Sequence, residues 1–584
     1  MLLRDELTSA QRTSCTNIQQ RAFAVVSEGA GTMSPMTGAN LLDVSSVGIN
    51  LGLLNNDTST LATALNAFYS GVVVSPTVAG DGIQADGSFM QHKGLLYTGN
   101  YGKDYINDLL NVFVETAGTN LEPSTASQDA FMTLMQGTEW MMFGDSKLNT
   151  ILWQYSTIGR MISFRRSDGQ ASGGIDIDVN EIEESGEAWS DHAIFENITD
   201  RLSETTTDAN QGALTGTRYF YNADYMVHRA PNYVTTFKMY SSRTVNSECL
   251  NVQNPFGFHL SDGSIYTYQT GDEYVDVFGV WNWELVPGIT VDYQGTPLTC
   301  STVKQTGKQS FVGGATDGNT GIAVLDYLNP INGKLHFKKT VFFFPSGYAV
   351  QLGPVTSLNT TAPLVTVLDQ RRRNGDIYVS NILKNTNTTY TSSSAKSIWH
   401  DNMGYYFPTA QNLYVDSTPR TANWASFGIS SGNETSQLFT SYIKHNATTT
   451  TGLLTQYIVQ PQISQSDFAA SVAGTMPISL AFQASSPQVN AAFSAADKSL
   501  GMAFWTAGTF ATPWDITVTS NTTCIFMFRQ TDTSTYRLTV ADPTQKLYAV
   551  KLTFVVNSVS VSTTVKFPTG TTAGRYTVKS ISFT

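Results

Sequence analysis

The sequence predicts a multidomain α+β protein with a helical first third and two all-β parts after it. Three observations predict this. The chain has 584 residues, more than one hydrophobic core can serve, so it must divide. Up to about residue 164, apolar residues recur at helical spacing. Beyond about residue 215, short aromatic and β-branched runs alternate with turn residues.

The helices come first. DTSTLATALNAFYSG (57–71) places Leu61, Leu65 and Phe68 on one face and stops at Gly71. KDYINDLLNVFVETAGT (103–119) does the same with Ile106, Leu109, Leu110 and Phe113. PSTASQDAFMTLMQGTEWMM (123–142) opens on Pro and Ser, good helix-start residues. A further helix is expected around 149–164. SDGQASGGIDIDVNEIEESGE then reads as an acidic, Gly-rich connection. After it come YVTTFKMYSS, GSIYTYQT, KLHFKKTVFFF and LVTVLDQ, strands of a large sandwich. The segment from about 470, with YAVKLTFVVNSVSVSTTVKF, reads as a separate small β domain.

Composition narrows the function. Charged residues make up 14%, against about 25% in an average soluble protein, and the net charge is −12. A nucleic-acid binder would be basic, so that class is disfavoured; an anionic ligand needs a local cationic site. No apolar run reaches the ~20 residues that span a membrane. Cys15, Cys249, Cys300 and Cys524 form no metal-knuckle spacing; up to two disulfides or four free thiols are both open. N-x-S/T sequons at Asn56, Asn197, Asn359, Asn387, Asn433, Asn446 and Asn521 fit a secreted glycoprotein. MLLRDELTSAQ has no apolar core of a signal peptide, so an extracellular location implies that this signal is not in the chain.

Candidate chemistry gathers in loops of the helical third. TGANLLD offers Asn40, ADGSFMQHKGLLYTGNYGKDY offers His92 and Tyr101, and TIGRMISFRR offers Arg160, Arg165 and Arg166. SSRTVNSECLNVQN adds Arg243, Glu248, Asn251 and Asn254 from the β part. A lone loop histidine more often packs than reacts, and Tyr97 and Tyr105 read as packing residues. Together, however, Asn, His, Tyr and Arg suit one reaction. Removing the C5 proton of a uronate builds charge on its carboxylate, which an amide can offset. A His or Tyr can take the proton, and a Tyr can protonate the leaving glycosidic oxygen. Hydrolysis would instead want two carboxylates across the bond, and only Glu248 presents itself.

TGAN, DGSFMQH with Tyr101 nine residues on, and MVHRAPNYVTTFKMYSSRTVNSECLNVQNPFGFHLSDGSIYTY resemble polysaccharide lyase family 8, the hyaluronate, chondroitin AC and xanthan lyases. VWNWELVPGITVDY, VFFFPSGYAVQLG, LDQRR and WHDNMGYYFP continue the resemblance in order along nearly the whole chain. It implies an incomplete α/α toroid carrying the catalytic cleft (1–175), a large antiparallel β-sandwich domain (176–470) and a small C-terminal β domain (471–584). It also implies β-elimination on an acidic polysaccharide by a monomer, with no nucleic acid, membrane or required cofactor, and with room for a structural calcium ion.

By motif, the resemblance makes Asn40 the carboxylate-neutralising amide, His92 the catalytic imidazole and Tyr101 the proton-transferring phenol. Arg160 and Glu248 complete the catalytic set, and Arg165, Arg243, Asn251 and Asn254 are substrate contacts. Two departures stand out. The family's second Arg falls on Phe164, with Arg165 next to it. The tryptophan-rich block that precedes the Asn in the family has no counterpart before Asn40, which implies a shortened toroid or an N-terminally truncated chain. The competing reading is a catalytically degenerate carbohydrate-binding protein or an inactive fragment of such a lyase. The motif match leaves Trp281 and Trp283 as core residues rather than sugar platforms, and His228 and His400 as structural.

Overall fold

The computed structural model describes residues 4–29, 35–205, 207–210, 214–445 and 450–583. Its helical part contains α1 (Ser9–Ser27), α2 (Ala39–Asn55), α3 (Thr58–Ser70), α4 (Lys103–Thr116), α5 (Thr125–Thr138), α6 (Val179–Ser185) and α7 (His192–Ser203). Capping explains the starts. The Asp57 carboxylate accepts the backbone N–H groups of Ser59 and Thr60 at 3.0 and 3.2 Å, and Ser124 Oγ accepts that of Ser127 at 3.3 Å. The expected face of α4, Ile106, Leu109, Leu110 and Phe113, is fully buried.

The helix expected around 149–164 does not form. The chain makes a hairpin, Met142–Asp145 with Thr150–Trp153, turned at Asn149 in the left-handed region (φ 47°). Two single 3-10 turns follow, Tyr155–Thr157 and Gly159–Ser163. Ile151, Leu152 and Trp153 are consecutive, and a run that short has no period to separate strand from helix. The acidic stretch read as a connection holds α6, and α7 carries the helices on to Ser203. Phe195 of α7 stacks on Phe131 of α5 at 5.5 Å, and Trp189 meets Phe113 of α4 edge-on at 5.4 Å.

The β part is antiparallel throughout. A 13-stranded sheet runs from Thr290–Asp292 at one edge to Val312–Thr316 at the other. A four-stranded meander from Gly216–Phe220 to Ser264–Tyr268 packs on it, joining Tyr219, Met226 and Phe237 to Val341, Phe343 and Val350. The last domain is a sandwich of six- and four-stranded sheets around Phe526, Phe528 and Phe554. Its six-stranded sheet also meets the central sheet through Ala492, Ala503 and Met527 against Ile322 and Phe342. One further core runs from Phe23, Phe113 and Trp153 of the helical part into Tyr266, Trp281, Trp283 and Trp424 of the β part. Trp281 and Trp283 are therefore core residues, and Trp281 Nε1 donates to the Gln370 carbonyl at 3.1 Å.

Cys249 and Cys300 form a disulfide, while Cys15 and Cys524 are free. Of the sequon residues, Asn446 lies outside the described residues, and Asn359 is buried with its amide on Asp292. Among the described residues, no helix is long and apolar enough to cross a membrane.

Candidate active site

The site lies where the helical part meets the β part. Asn40 sits in the first turn of α2, just after Gly38. Gly38 has φ +58°, and a Cβ there would lie 2.0 Å from Gln91 Oε1, so only glycine fits this turn. The Gln91 amide in turn donates to the Thr37 carbonyl at 3.3 Å. The TGAN segment is thereby docked against the residue before His92.

His92 occupies the tip of a tight hairpin between Phe89–Gln91 and Leu95–Leu96, with Lys93 beside it. Both have positive φ, 59° and 64°, a conformation costing an L-residue about 1–2 kcal/mol. The chain then enters a π-helical turn, Thr98–Gly102, that carries Tyr101. The His92 and Tyr101 rings meet edge-on with centroids 4.9 Å apart. Tyr101 is half-buried, and its ring centroid is 5.7 Å from the Arg160 guanidinium carbon.

Glu248 arrives from the β part and ties these groups together. Its side chain is 2% exposed. Oε2 receives His92 Nδ1 at 2.8 Å; Oε1 receives the Tyr97 hydroxyl and Arg160 Nη1, both at 2.6 Å. Burial alone would raise its pKa, but the hydrogen bonds from His92, Tyr97 and Arg160 hold it down at about 2. Arg160 also donates to Gln253 Oε1 at 2.9 Å and to the Tyr97 oxygen at 3.0 Å. Burial disfavours the Arg160 charge, yet Tyr97, Tyr101 and Glu248 together keep its proton more firmly than water would. Burial and the neighbouring Glu248 push the Tyr97 pKa well up, so it stays a neutral donor.

Tyr97 was expected to be a packing residue only, and it is instead a member of this network. Its one sequence signal is its position four residues before Tyr101, which brings the two rings edge-on at 5.0 Å. Gly159 completes the fit, because a Cβ there would lie 2.2 Å from the Tyr97 ring. Gln253 gave no signal at all.

The four expected substrate contacts separate. Asn254 is fully buried beneath Glu248 and donates to Ser247 Oγ and the Glu248 carbonyl, both at 3.0 Å. Asn251 is exposed at the turn between them, with φ 53°. Arg165 and Arg243 do not join the cluster. Phe164 is extended and buried, so the next side chain points the opposite way, and Arg165 pairs with Glu434 at 3.6 Å. Arg243 pairs with Asp224 at 3.2 Å and donates to the Ser310 and Val312 carbonyls. Among the described residues, no group of three or more His, Cys, Asp or Glu is positioned to hold a metal ion.

The Cys249–Cys300 disulfide adjoins Glu248 and closes a loop with a sequence separation of 51. In the chain-entropy account a loop of that size stabilises by roughly 4 kcal/mol. We expect Cys249→Ser with Cys300→Ser to lower the denaturant midpoint and to reduce turnover through a looser Glu248. Equal midpoints with and without the bridge would show that its constraint is redundant.

Family models match the chain in three consecutive blocks. They are the polysaccharide lyase family 8 N-terminal alpha-helical domain (residues 1–174), the super-sandwich domain (215–472) and the C-terminal beta-sandwich domain (484–551). Chondroitinase-AC of Pedobacter heparinus is 28% identical over 534 residues, covering 88% of this chain and 71% of that protein. Hyaluronate lyase HylB of Enterococcus faecalis is 26% identical over 566 residues, with 87% of this chain covered but 54% of the relative. The solved Paenibacillus xanthan lyase superposes with a TM-score of 0.85 at 21% identity, over 100% of this chain and 59% of that one.

Proposed function

The chain belongs to polysaccharide lyase family 8, and on that premise we propose that it cleaves a uronate-containing glycan of the hyaluronan or chondroitin kind by β-elimination. The observation that carries this reading is the bridging position of Glu248. A buried, ionised carboxylate accepts a hydrogen bond from His92 Nδ1, which fixes the orientation of the ring and leaves Nε2 as the ring nitrogen available for proton transfer. The Tyr101 ring meets the imidazole edge-on, with centroids 4.9 Å apart.

The reaction follows from these positions. Asn40 donates to the substrate carboxylate and offsets the charge that grows as the C5 proton leaves. The proton is taken at the His92–Tyr101 pair. Electrons from the C5–H bond form the C4–C5 double bond as the C4–O bond breaks. The Tyr101 hydroxyl protonates the departing glycosidic oxygen, giving a free hydroxyl on one fragment and a 4,5-unsaturated uronate on the other. Arg160 and Tyr97 hold Glu248, and through it the His92 ring. Side chains supply every step, so the activity is expected to survive a chelator. A disulfide beside the site fits an extracellular setting. Hydrolysis is disfavoured because the one carboxylate in the cluster is buried and ion-paired. An inactive binding protein is disfavoured because the strained His92 turn and the Glu248 network are intact.

The test is an ultraviolet assay of the purified chain on hyaluronan, chondroitin, chondroitin sulfates and xanthan, with a chelator present. Growth of the unsaturated-uronate absorbance on one polymer is the expected result. No absorbance on any of them would overturn the reading. Within that assay, Asn40→Ala should lower kcat by about 10²-fold with KM little changed, since its bond strengthens as charge develops. An equal loss confined to KM would assign Asn40 to ground-state binding.

A further inference from the structure

The cluster has a cation that the sequence did not single out. Of the expected basic contacts, Arg165 and Arg243 are spent on Glu434 and Asp224. Arg160 is spent on Glu248, Tyr97 and Gln253. Among the described residues, Lys304 is the remaining cation within 4 Å of the Glu248 carboxylate. Its Nζ lies 3.9 Å from Glu248 Oε2, and its side chain is 49% exposed against 2% for the carboxylate.

That distance is beyond a hydrogen bond, and Glu248 does not need one more. Both of its oxygens already accept bonds of 2.6 to 2.8 Å from His92, Tyr97 and Arg160. The ammonium is therefore half exposed beside the carboxylate, and among the described residues no hydrogen bond engages its donors.

The backbone holds it there. Lys304 directly follows α8 (Cys300–Val303), a single turn anchored by buried Val303 and by the disulfide to Cys249, the neighbour of Glu248. Asn246 N donates to the Gln305 carbonyl at 3.0 Å, and Gln305 N donates to Asn246 Oδ1 at 2.8 Å. Val245 and Thr306 form an antiparallel bridge. The segments carrying Glu248 and Lys304 are thus bonded together on both sides of the pair. A cation positioned in advance binds an anion without first losing backbone freedom.

We infer that Lys304 is a specificity-determining residue that binds an acidic group of the glycan, a carboxylate or a sulfate ester, at the cleft. The inference deepens the lyase reading and rests on it for the ligand class. A charge-assisted bond of this kind corresponds to roughly a tenfold change in affinity.

The test is calorimetric binding to the full, disulfide-intact chain carrying Tyr101→Phe, which keeps the ligand uncleaved. The probes are an unsulfated chondroitin oligosaccharide, its sulfated form and the carboxyl-reduced form. Adding Lys304→Ala should weaken the acidic probes about tenfold and leave the carboxyl-reduced, unsulfated probe unchanged, while Lys304→Arg restores binding. Equal losses on the two acidic probes assign the carboxylate; a loss confined to the sulfated probe assigns the sulfate. No loss, an equal loss on the reduced probe, or no binding of any acidic probe overturns the inference. Lys304-dependent binding in a chain that shows no elimination would sink the lyase reading alone. Elimination by the parent chain with Lys304-independent binding would sink this inference alone.

Discussion

Replacing Tyr101 by Phe should abolish turnover while leaving the fold untouched. The ring is held by edge contacts with His92 and Tyr97, at 4.9 and 5.0 Å, and stands near Arg160, and Phe keeps these ring contacts while losing only the hydroxyl's interaction with Arg160. Arg160 keeps Glu248, Tyr97 and Gln253, so losing one hydroxyl strands no buried charge. What disappears is the proton delivered to the leaving oxygen, a contribution of about 10²–10⁴-fold, and the proton acceptor beside His92 goes with it. The rate of unsaturated product should therefore fall by at least about 10³-fold while the melting midpoint stays within a degree or two of the parent's. Activity within tenfold of the parent would remove Tyr101 from the mechanism.

Glu248→Gln should damage stability and catalysis together. The amide keeps the shape but removes the charge, leaving Arg160, its side chain 9% exposed, without its counter-ion. Breaking a buried pair in this way costs about 3–5 kcal/mol. It also removes the acceptor that fixes the orientation of the His92 ring, so the rate should fall about 10²-fold or more.

The effect has a pH signature. The Glu248 pKa is about 2 in the folded chain against 4.5 in the unfolded one, a depressed carboxylate. Its stabilisation, on the order of 3 kcal/mol, is then fully present above pH 4.5 and is lost as the pH falls from there towards 2. The denaturant midpoints of parent and variant should differ at pH 7, draw closer below pH 4.5 and converge only towards pH 2. A gap of constant size down to pH 3 would show that the Glu248 charge is not what Arg160 requires.

The elements that were legible in the sequence are those whose signals are local. α3 announced itself by Leu61, Leu65 and Phe68 on one face, α5 by Ser124, which caps through its own side chain, and α4 by its one-sided apolar face. α1 buries only Phe23, so its pattern is almost blank, and α2 is apolar on several sides, which blurs any stripe. The site residues divide in the same way. Motif strings brought forward Asn40, His92, Tyr101, Arg160 and Glu248. Tyr97, Gln253 and Lys304 stayed hidden because their roles depend on contacts such as Tyr97 with Glu248, 151 residues apart. The Cys249–Cys300 pairing could not be read from spacing at all. Arg165 was drawn toward the cleft by its place in the motif, next to the position of the family's second Arg, but the local chain is extended, and its side chain leaves for Glu434.

The core that passes unbroken from Phe23 and Trp153 into Tyr266 and Trp424 bears on modularity. The acid-pairing residue and the proton-transfer pair come from opposite sides of that core, so neither side is a transplantable cassette. A helical fragment expressed alone would expose its share of the shared aromatic surface and would also lack Glu248, the group that orients its histidine. Grafting new substrate loops is the practical route to altered variants; exchanging whole halves between distant homologues would have to rebuild the seam first.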